Sequence, residues 1–143
     1  MNPPPRNYFS IVAHGPRFDV DGYLKRHPLR SDIVWHAGDL HRNGETSLET
    51  NGFEIYLGRD SEIDFEEQQA IAAAYLEANE VHLKELKTLN QGFYLGLRET
   101  VYPNSLGSIM DISSPLMHAV LKVGINLTIW ACLEREAYRP RVD

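Results

Sequence analysis

Two histidines, His36 and His41, flank Asp39 in the segment HAGDLH. Imidazole and carboxylate groups are common ligands of divalent metals, so the segment contains the residue types of a metal site. The spacing matches no metal-binding motif, and Gly38 with the Asn43-Gly44 pair indicates an irregular turn. We therefore interpret the segment as a structural turn in which Asp39 accepts hydrogen bonds from local backbone N–H groups. We expect neither a metal nor a cofactor.

Three further candidates for catalytic chemistry occur elsewhere in the chain. The single cysteine, Cys132, would need a base and an oxyanion donor to act as a nucleophile, and we interpret it as a small packed strand residue. His82 borders the apolar side of a helix, which favours a hydrogen-bonded histidine at the core edge over a general base. Glu66 and Glu67 point about 100° apart on a helix, unlike a hydrolase carboxylate pair. No motif supports an enzyme, although catalytic groups can converge from distant loops.

Residues 60 to 87 predict one long amphipathic helix, beginning at Asp64 and ending near Leu89 before Asn90-Gln91-Gly92. Asp64 precedes Glu67 by three residues, as in a capping box. The apolar side chains fall on one broad arc of the helix and should face a core. That arc contains Phe65, Ile71, Ala72, Tyr75, Leu76, Ala78, Leu83, Leu86 and Leu89.

The formal charge of −6 falls entirely on this predicted helix and its approach. Residues 60 to 87 contain eight acidic and two basic side chains, whereas the two charge types balance in the rest of the chain. One interpretation is a solvated helix face. The other is an electrostatic docking face for a protein partner with a basic surface. The residues of that docking face would be Glu62, Glu66, Glu77 and Glu80.

The remaining pattern predicts a single α+β domain over residues 1–143, with flexible ends at 1–6 and 135–143. Strands are expected at 8–14, 33–36, 53–57, 92–98 and 125–134, and shorter helices at 19–27 and 113–124. We expect residues 99–113 to form a loop. The architecture is a two-layer sandwich, a mainly antiparallel sheet of about five strands with helices on one face. The last strand is apolar at both parities, which places it away from a sheet edge.

Strand alternation separates an apolar face from an aromatic, mixed polar one. On the second face it places Tyr56, Tyr94, Arg98 and Trp130, residue types that dominate binding hot spots. Three interpretations stay open for this surface. The chain's own loop or N-terminal prolines could cover it, a second copy could bury it in a homodimer, or a foreign partner or ligand could bind there.

Composition narrows the class of protein. The N-terminus lacks the apolar run of a signal peptide, and no stretch approaches the length of a membrane span, so we expect a cytoplasmic protein without a membrane partner. The single cysteine fits a reducing compartment. A sequence pI near 5.5 argues against nucleic-acid binding, because phosphate contacts need a basic surface.

The chain resembles a family of small uncharacterised bacterial proteins, a domain of unknown function. The matching features are a Trp35-x-x-Gly38-Asp39 element, an opening strand with Phe9, and a terminal helix, glycine and strand that covers 125–129. This chain has Phe53 where the resemblance leads us to expect tryptophan. The resemblance implies an α+β fold and accessory or immunity-type members, and it supplies no activity.

We therefore expect a non-catalytic binding protein, in particular an immunity protein that neutralises a bacterial toxin through the acidic helix. One alternative is a small-ligand-binding domain or small enzyme that uses the aromatic sheet face. Another alternative is a structural homodimer.

Overall fold

The computed structural model describes residues 7–41, 44–59, 63–89, 92–101 and 110–133. The side chains of residues 100, 101, 132 and 133 are not part of this description. Glu62, the predicted flexible ends and most of the predicted 99–113 loop lie outside the described residues.

The described residues form one mixed sheet of five strands. These are β1 (Asn7–Gly15), β2 (Ile33–Trp35), β3 (Asn51–Leu57), β4 (Gly92–Val101) and β5 (Asn126–Leu133). Their order across the sheet is β2-β3-β1-β4-β5. The pairs β2–β3, β3–β1 and β1–β4 are antiparallel, and β5 runs parallel to β4. The predicted α+β class is confirmed, and β4 continues three residues past its predicted end.

Four helices in the described part of the chain pack on the sheet. They are α1 (Val20–Arg26), α2 (Phe65–Ala78), α3 (Glu80–Thr88) and α4 (Ser114–Val123). Each contributes buried side chains to one core with the sheet residues Phe9, Ile11 and Leu95, so all four lie on the same face. None of these helices is long and apolar enough to cross a membrane.

The prediction of a single helix over 64–89 was wrong at one residue. Asn79 adopts φ −113° and ψ 16°, which ends α2 and begins α3. Its side-chain amide donates to the Tyr75 carbonyl at 2.9 Å, the competition with helical hydrogen bonding that disfavours asparagine inside helices. Leu83 and Leu86 are nevertheless fully buried, so the apolar arc continues across the break. The predicted cap is confirmed, because the Asp64 carboxylate accepts from the Glu67 N–H.

The prediction that the last strand lies away from a sheet edge was also wrong. β5 is the edge strand beside β4. The chain passes from β4 through α4 into β5, and such a crossover connection produces a parallel neighbour. Ile129, which strand alternation places on the face opposite Trp130, is 46% exposed at this edge. The apolar residues at both parities therefore do not indicate an interior strand, because Leu127 packs against the core while Ile129 and Trp130 keep much of their surface exposed.

Candidate functional site on the aromatic sheet face

The sheet face opposite the four helices is where the structure brings the predicted aromatic residues together. Tyr56, Tyr94, Arg98 and Trp130 all line one groove of about 950 Å³. The central strand β1 supplies the floor, because its alternate residues point away from the core. These floor residues are Tyr8, Ser10, Val12 and His14. We term the surface formed by these eight residues the aromatic face.

Glycines allow three rings to lie close to the backbone of the sheet. The Trp130 ring occupies the space above Gly96, where a Cβ atom would lie 2.6 Å from Cζ3. The ring of Trp35 lies in the same way above Gly52, and the imidazole of His14 lies above Gly92. The glycines therefore set the depth of the groove, because any side chain at these positions would lift the ring above it.

Tyr94 holds the middle of this aromatic layer. Its ring meets Trp130 edge-on at 5.2 Å between centroids, and it meets His14 edge-on at 6.2 Å. Edge-to-face geometry is the favoured arrangement of neighbouring rings and adds about 0.5–1.5 kcal/mol per aromatic pair. The rings are thus held by one another, while Trp130 keeps 41% of its surface exposed to a ligand.

One corner of the groove is cationic. The Arg59 guanidinium lies over the Tyr56 ring at 4.3 Å and over the Tyr8 ring at 5.4 Å from the centroids. Arg98 donates from Nη1 to the Tyr8 hydroxyl at 2.9 Å. We term Tyr8, Tyr56, Arg59 and Arg98 the arginine corner. Both guanidinium groups contact the same tyrosine, which places two positive charges at one end of the groove.

A turn at Gly58 brings Arg59 over these rings. Gly58 has φ +62°, a conformation that glycine adopts without strain, and it follows the last residue of β3. The buried Gln68 amide on α2 fixes this turn by donating to the carbonyls of Gly58 and Asn7 at 3.2 and 2.6 Å. The position of Arg59 therefore depends on contacts from the helical layer.

Carboxylates lie further along the same groove. Glu54 and Asp39 both line it, and Glu54 precedes Tyr56 by two residues on the same face of β3. Burial raises the pKa of the Tyr94 hydroxyl, and the charge of Glu54 raises it further. The charges of the groove are therefore unevenly distributed, with cations at one end and carboxylates beyond Tyr56.

The Trp35-x-x-Gly38-Asp39 element builds one wall of the groove. As predicted, Asp39 accepts a hydrogen bond from a local backbone N–H, that of His36, at 2.7 Å. Gly38 has φ +96°, and its N–H donates to the Leu48 carbonyl at 2.8 Å. The Trp35 indole donates to Thr50 Oγ1 at 3.2 Å. The element therefore closes a turn that projects from the sheet beside the aromatic floor.

His36 ties this wall to the helical layer instead of joining His41. Its Nε2 lies 2.9 Å from an Asp21 carboxylate oxygen on α1. That hydrogen bond raises the pKa of His36 above its ordinary value of 6.5, and the charges of Asp21 and Asp39 raise it further. Within the described residues, no group of three or more His, Cys, Asp or Glu side chains could hold a metal ion.

The acidic residues of the predicted docking face are separated by the helix break. Glu66 and Glu77 are exposed on α2. Glu80 lies on α3 and forms ion pairs with Lys84 and Lys122, which lower its pKa. Glu80 and Lys84 are four residues apart, so their side chains meet on one side of α3. The predicted docking residues are therefore divided between two helices, and their role in binding a partner stays a prediction.

His82 is a half-buried, hydrogen-bonded histidine, as predicted. Its Nδ1 lies 3.0 Å from Nδ1 of His27, whose Nε2 contacts the Glu85 carboxylate. Arg26 adds a second contact to Glu85 at 3.0 Å. The His27 hydrogen bond and the Arg26 contacts lower the pKa of Glu85. This cluster joins α1 to α3 on the helical side, away from the groove.

Several residues of the groove were not predicted from the sequence, and Tyr8 and Arg59 are the two that form part of the arginine corner. Tyr8 shares the parity of His14 on β1, so strand alternation could have identified it. Arg59 lies beyond β3 and reaches the face through the Gly58 turn, for which no periodic signal exists. Cys132 lies in β5 opposite Thr100, and its side chain is outside the described residues.

Comparison of the chain with protein-family models, with curated proteins and with solved structures gives no match. The resemblance to the family with the Trp-x-x-Gly-Asp element stays a prediction, as does the immunity role that it implies.

Proposed function

We propose that this protein is a binding module that takes a small ligand in the groove of its aromatic face. The observation that carries this proposal is the ring layer of Trp35, His14, Tyr94 and Trp130 at the base of a groove of about 950 Å³. Small-molecule sites are concave, occupy about 300–1,000 Å³, and combine aromatic walls with a few polar groups. The groove has each of these properties.

Its shape favours a small ligand over a flat protein partner. The turn that contains Asp39 and Leu40 rises on one side of the groove, and Trp130 on the edge strand flanks the other. A partner with a flat surface would contact these walls and leave the floor unfilled. A compound with a planar ring fits between these walls and contacts the exposed part of the Trp130 ring, and ring contacts of this kind contribute about 0.5–1.5 kcal/mol each.

A fragment screen by two-dimensional ¹H–¹⁵N NMR tests the proposal. Aromatic fragments should shift amide signals of β1, β3 and β4 around Tyr94, and Tyr94→Ala should weaken their binding by about tenfold, a loss of about 1.4 kcal/mol. The matched control is Leu121→Ala, which truncates an apolar residue that is 75% exposed on α4. The proposal fails if no fragment perturbs the aromatic face.

Sedimentation at rising protein concentration separates this proposal from a homodimer. A dimer formed through the aromatic face would dissociate on Tyr94→Ala and would compete with every fragment. A monomer that still binds fragments supports the ligand site.

A second candidate function, neutralisation of a basic toxin, has one specific observation in its favour. Glu66 and Glu77 are eleven residues apart on α2, so they share one exposed face about 16 Å long.

Reversing both charges should slow association with a basic partner by about tenfold at low salt, and the effect should shrink as salt shortens the Debye length. Glu49→Lys, outside α2, is the control reversal. Equal association rates at every salt concentration would contradict this candidate.

A further inference from the structure

We infer that the ligand of this groove carries both a flat ring and an anionic group, and that the anionic group binds at the arginine corner. This inference rests on the proposed function and names the class of ligand. An aromatic carboxylate and an aromatic phosphate ester share the chemistry.

The first argument is the pre-organisation of Arg59. The guanidinium carbon lies 4.3 Å from the Tyr56 ring centroid and 5.4 Å from that of Tyr8, so cation–π contacts with two rings hold the positive charge at this end of the groove. In the described part of the chain, no carboxylate forms an ion pair with Arg59. A guanidinium edge matches the geometry of a carboxylate or a phosphate and can bind either through two parallel hydrogen bonds.

The second argument is the hydroxyl proton of Tyr8. The Tyr8 oxygen accepts from Arg98 Nη1, which directs the charge of Arg98 toward this oxygen. A phenol that accepts one hydrogen bond still has its own O–H to donate. No acceptor for that proton is present among the described residues, and Tyr8 as a whole is only 9% exposed. An anion beside Arg59 would accept the proton and satisfy both groups.

The third argument is the change of charge along the groove. Glu54 lies two residues before Tyr56 on the same face of β3 and contributes to the raised pKa of Tyr94, so this part of the groove is unfavourable for an anion. An anionic group is therefore attracted to the arginine corner and repelled beyond it. A ring attached to that group would extend over the exposed part of Trp130 and the edge of Tyr94.

The experiment compares matched naphthalene probes by NMR titration. The probes are 2-naphthoate, 2-naphthyl phosphate and the neutral 2-naphthamide. One of the two anionic probes should bind about tenfold tighter than the amide, because a hydrogen bond between two charged groups is stronger than one to a neutral group. The anion that binds more tightly identifies carboxylate or phosphate as the source.

Variants then assign the preference to the corner. Arg59→Gln should bring the ratio of affinities close to one while the amide binds as before. Tyr8→Phe keeps the ring beneath Arg59 and removes the hydroxyl, so it should reduce the ratio by a smaller factor. Arg30→Gln removes an exposed arginine outside the groove and should keep the full ratio.

The possible outcomes separately test the anion preference, its location at the arginine corner and the proposed function. If the amide and both anions bind the aromatic face with equal affinity in the wild type, the inference is wrong and the proposed function stands. If the preference for an anion survives Arg59→Gln and Tyr8→Phe, the arginine corner is not the anion site. If none of the three probes binds the aromatic face, both the inference and the proposed function are overturned.

Discussion

The Trp130 ring on the edge strand β5 lies directly above Gly96 of β4. A Cβ atom at residue 96 would stand 2.6 Å from Cζ3 of the indole, and the Ser10 hydroxyl oxygen would lie 3.4 Å from it. Trp130 and Arg98 are ladder partners, so the ring leans along β4 by two residues to reach the glycine. The Trp130 indole can therefore lie on the sheet because residue 96 is glycine, which has no side chain.

We expect Gly96→Ala to displace the Trp130 ring at a modest cost. The clashing group is the ring of an edge-strand residue, which can rotate outward, so we expect a loss of about 1 kcal/mol in the free energy of unfolding. In a Trp35→Phe background the emission of Trp130 should shift to longer wavelength as the ring becomes more exposed.

Gly52→Ala is the informative comparison. A Cβ atom there would meet both the Trp35 ring and the backbone carbonyl oxygen of Ala13, the latter at 2.6 Å. Ala13 belongs to the central strand β1, which cannot shift without disturbing pairs on both sides. We expect a loss of about 2–3 kcal/mol in urea unfolding, within the range of overpacked sites. If Gly96→Ala and Gly52→Ala reduced the free energy of unfolding equally, the contact with the Ala13 carbonyl oxygen would be no more destabilising than the contact with an indole ring.

Leu86→Ala tests the core beneath α3. Leu86 is fully buried, and truncating a buried leucine costs about 2–5 kcal/mol through lost burial and the cavity that remains. Glu77→Ala changes an exposed residue on α2 and should stay within about 0.5 kcal/mol. Urea melts of the two variants measure both values. Similar losses would contradict the orientation of the helical layer.

The contact between Glu85 and His27 predicts a loss of stability in acid. The pKa of Glu85 is lower in the folded protein than its ordinary value of 4.5, chiefly through the His27 hydrogen bond. The stability that this carboxylate contributes is therefore full above pH 4.5 and is lost as the pH falls through its folded pKa. The difference in unfolding free energy between the wild type and Glu85→Gln should shrink in that window.

Urea titrations from neutral to acidic pH measure this difference, and Glu77→Gln gives the background for removal of a carboxylate that forms no ion pair in the described residues. A difference between the wild type and Glu85→Gln that stays constant below pH 4.5 would contradict the assignment.

The contact between His36 and Asp21 predicts a pKa that NMR can read directly. His36 should titrate above 6.5, since its hydrogen bond to Asp21 favours the imidazolium form. Asp21→Asn should return the pKa of His36 toward 6.5. Asp39→Asn, which removes the smaller contribution, should shift it less. A larger effect from Asp39→Asn would show that the turn, and not α1, controls this histidine.

Local sequence determined the elements and the two faces of the sheet. The period-two alternation in β3 and β4 sufficed to place Tyr56, Tyr94 and Arg98 together, because successive strand residues point to opposite sides. The Asp64 cap and the Gly124 terminus, with φ +74°, were also readable, since both depend on contacts within a few residues.

Tertiary structure decided where the helices and strands lie relative to one another and which side chains they bring together. The position of β5 at the edge follows from its crossover through α4, which a strand's composition does not encode. Asn79 divides the predicted helix into α2 and α3 although the apolar arc continues across the break, and its side chain hydrogen-bonds the Tyr75 carbonyl there. The arginine corner joins Arg59, held by α2 through Gly58 and Gln68, to Tyr8 and Arg98 from two different strands. The arginine corner depends on the packing of the helices against the sheet, so no residue spacing in the sequence predicts it.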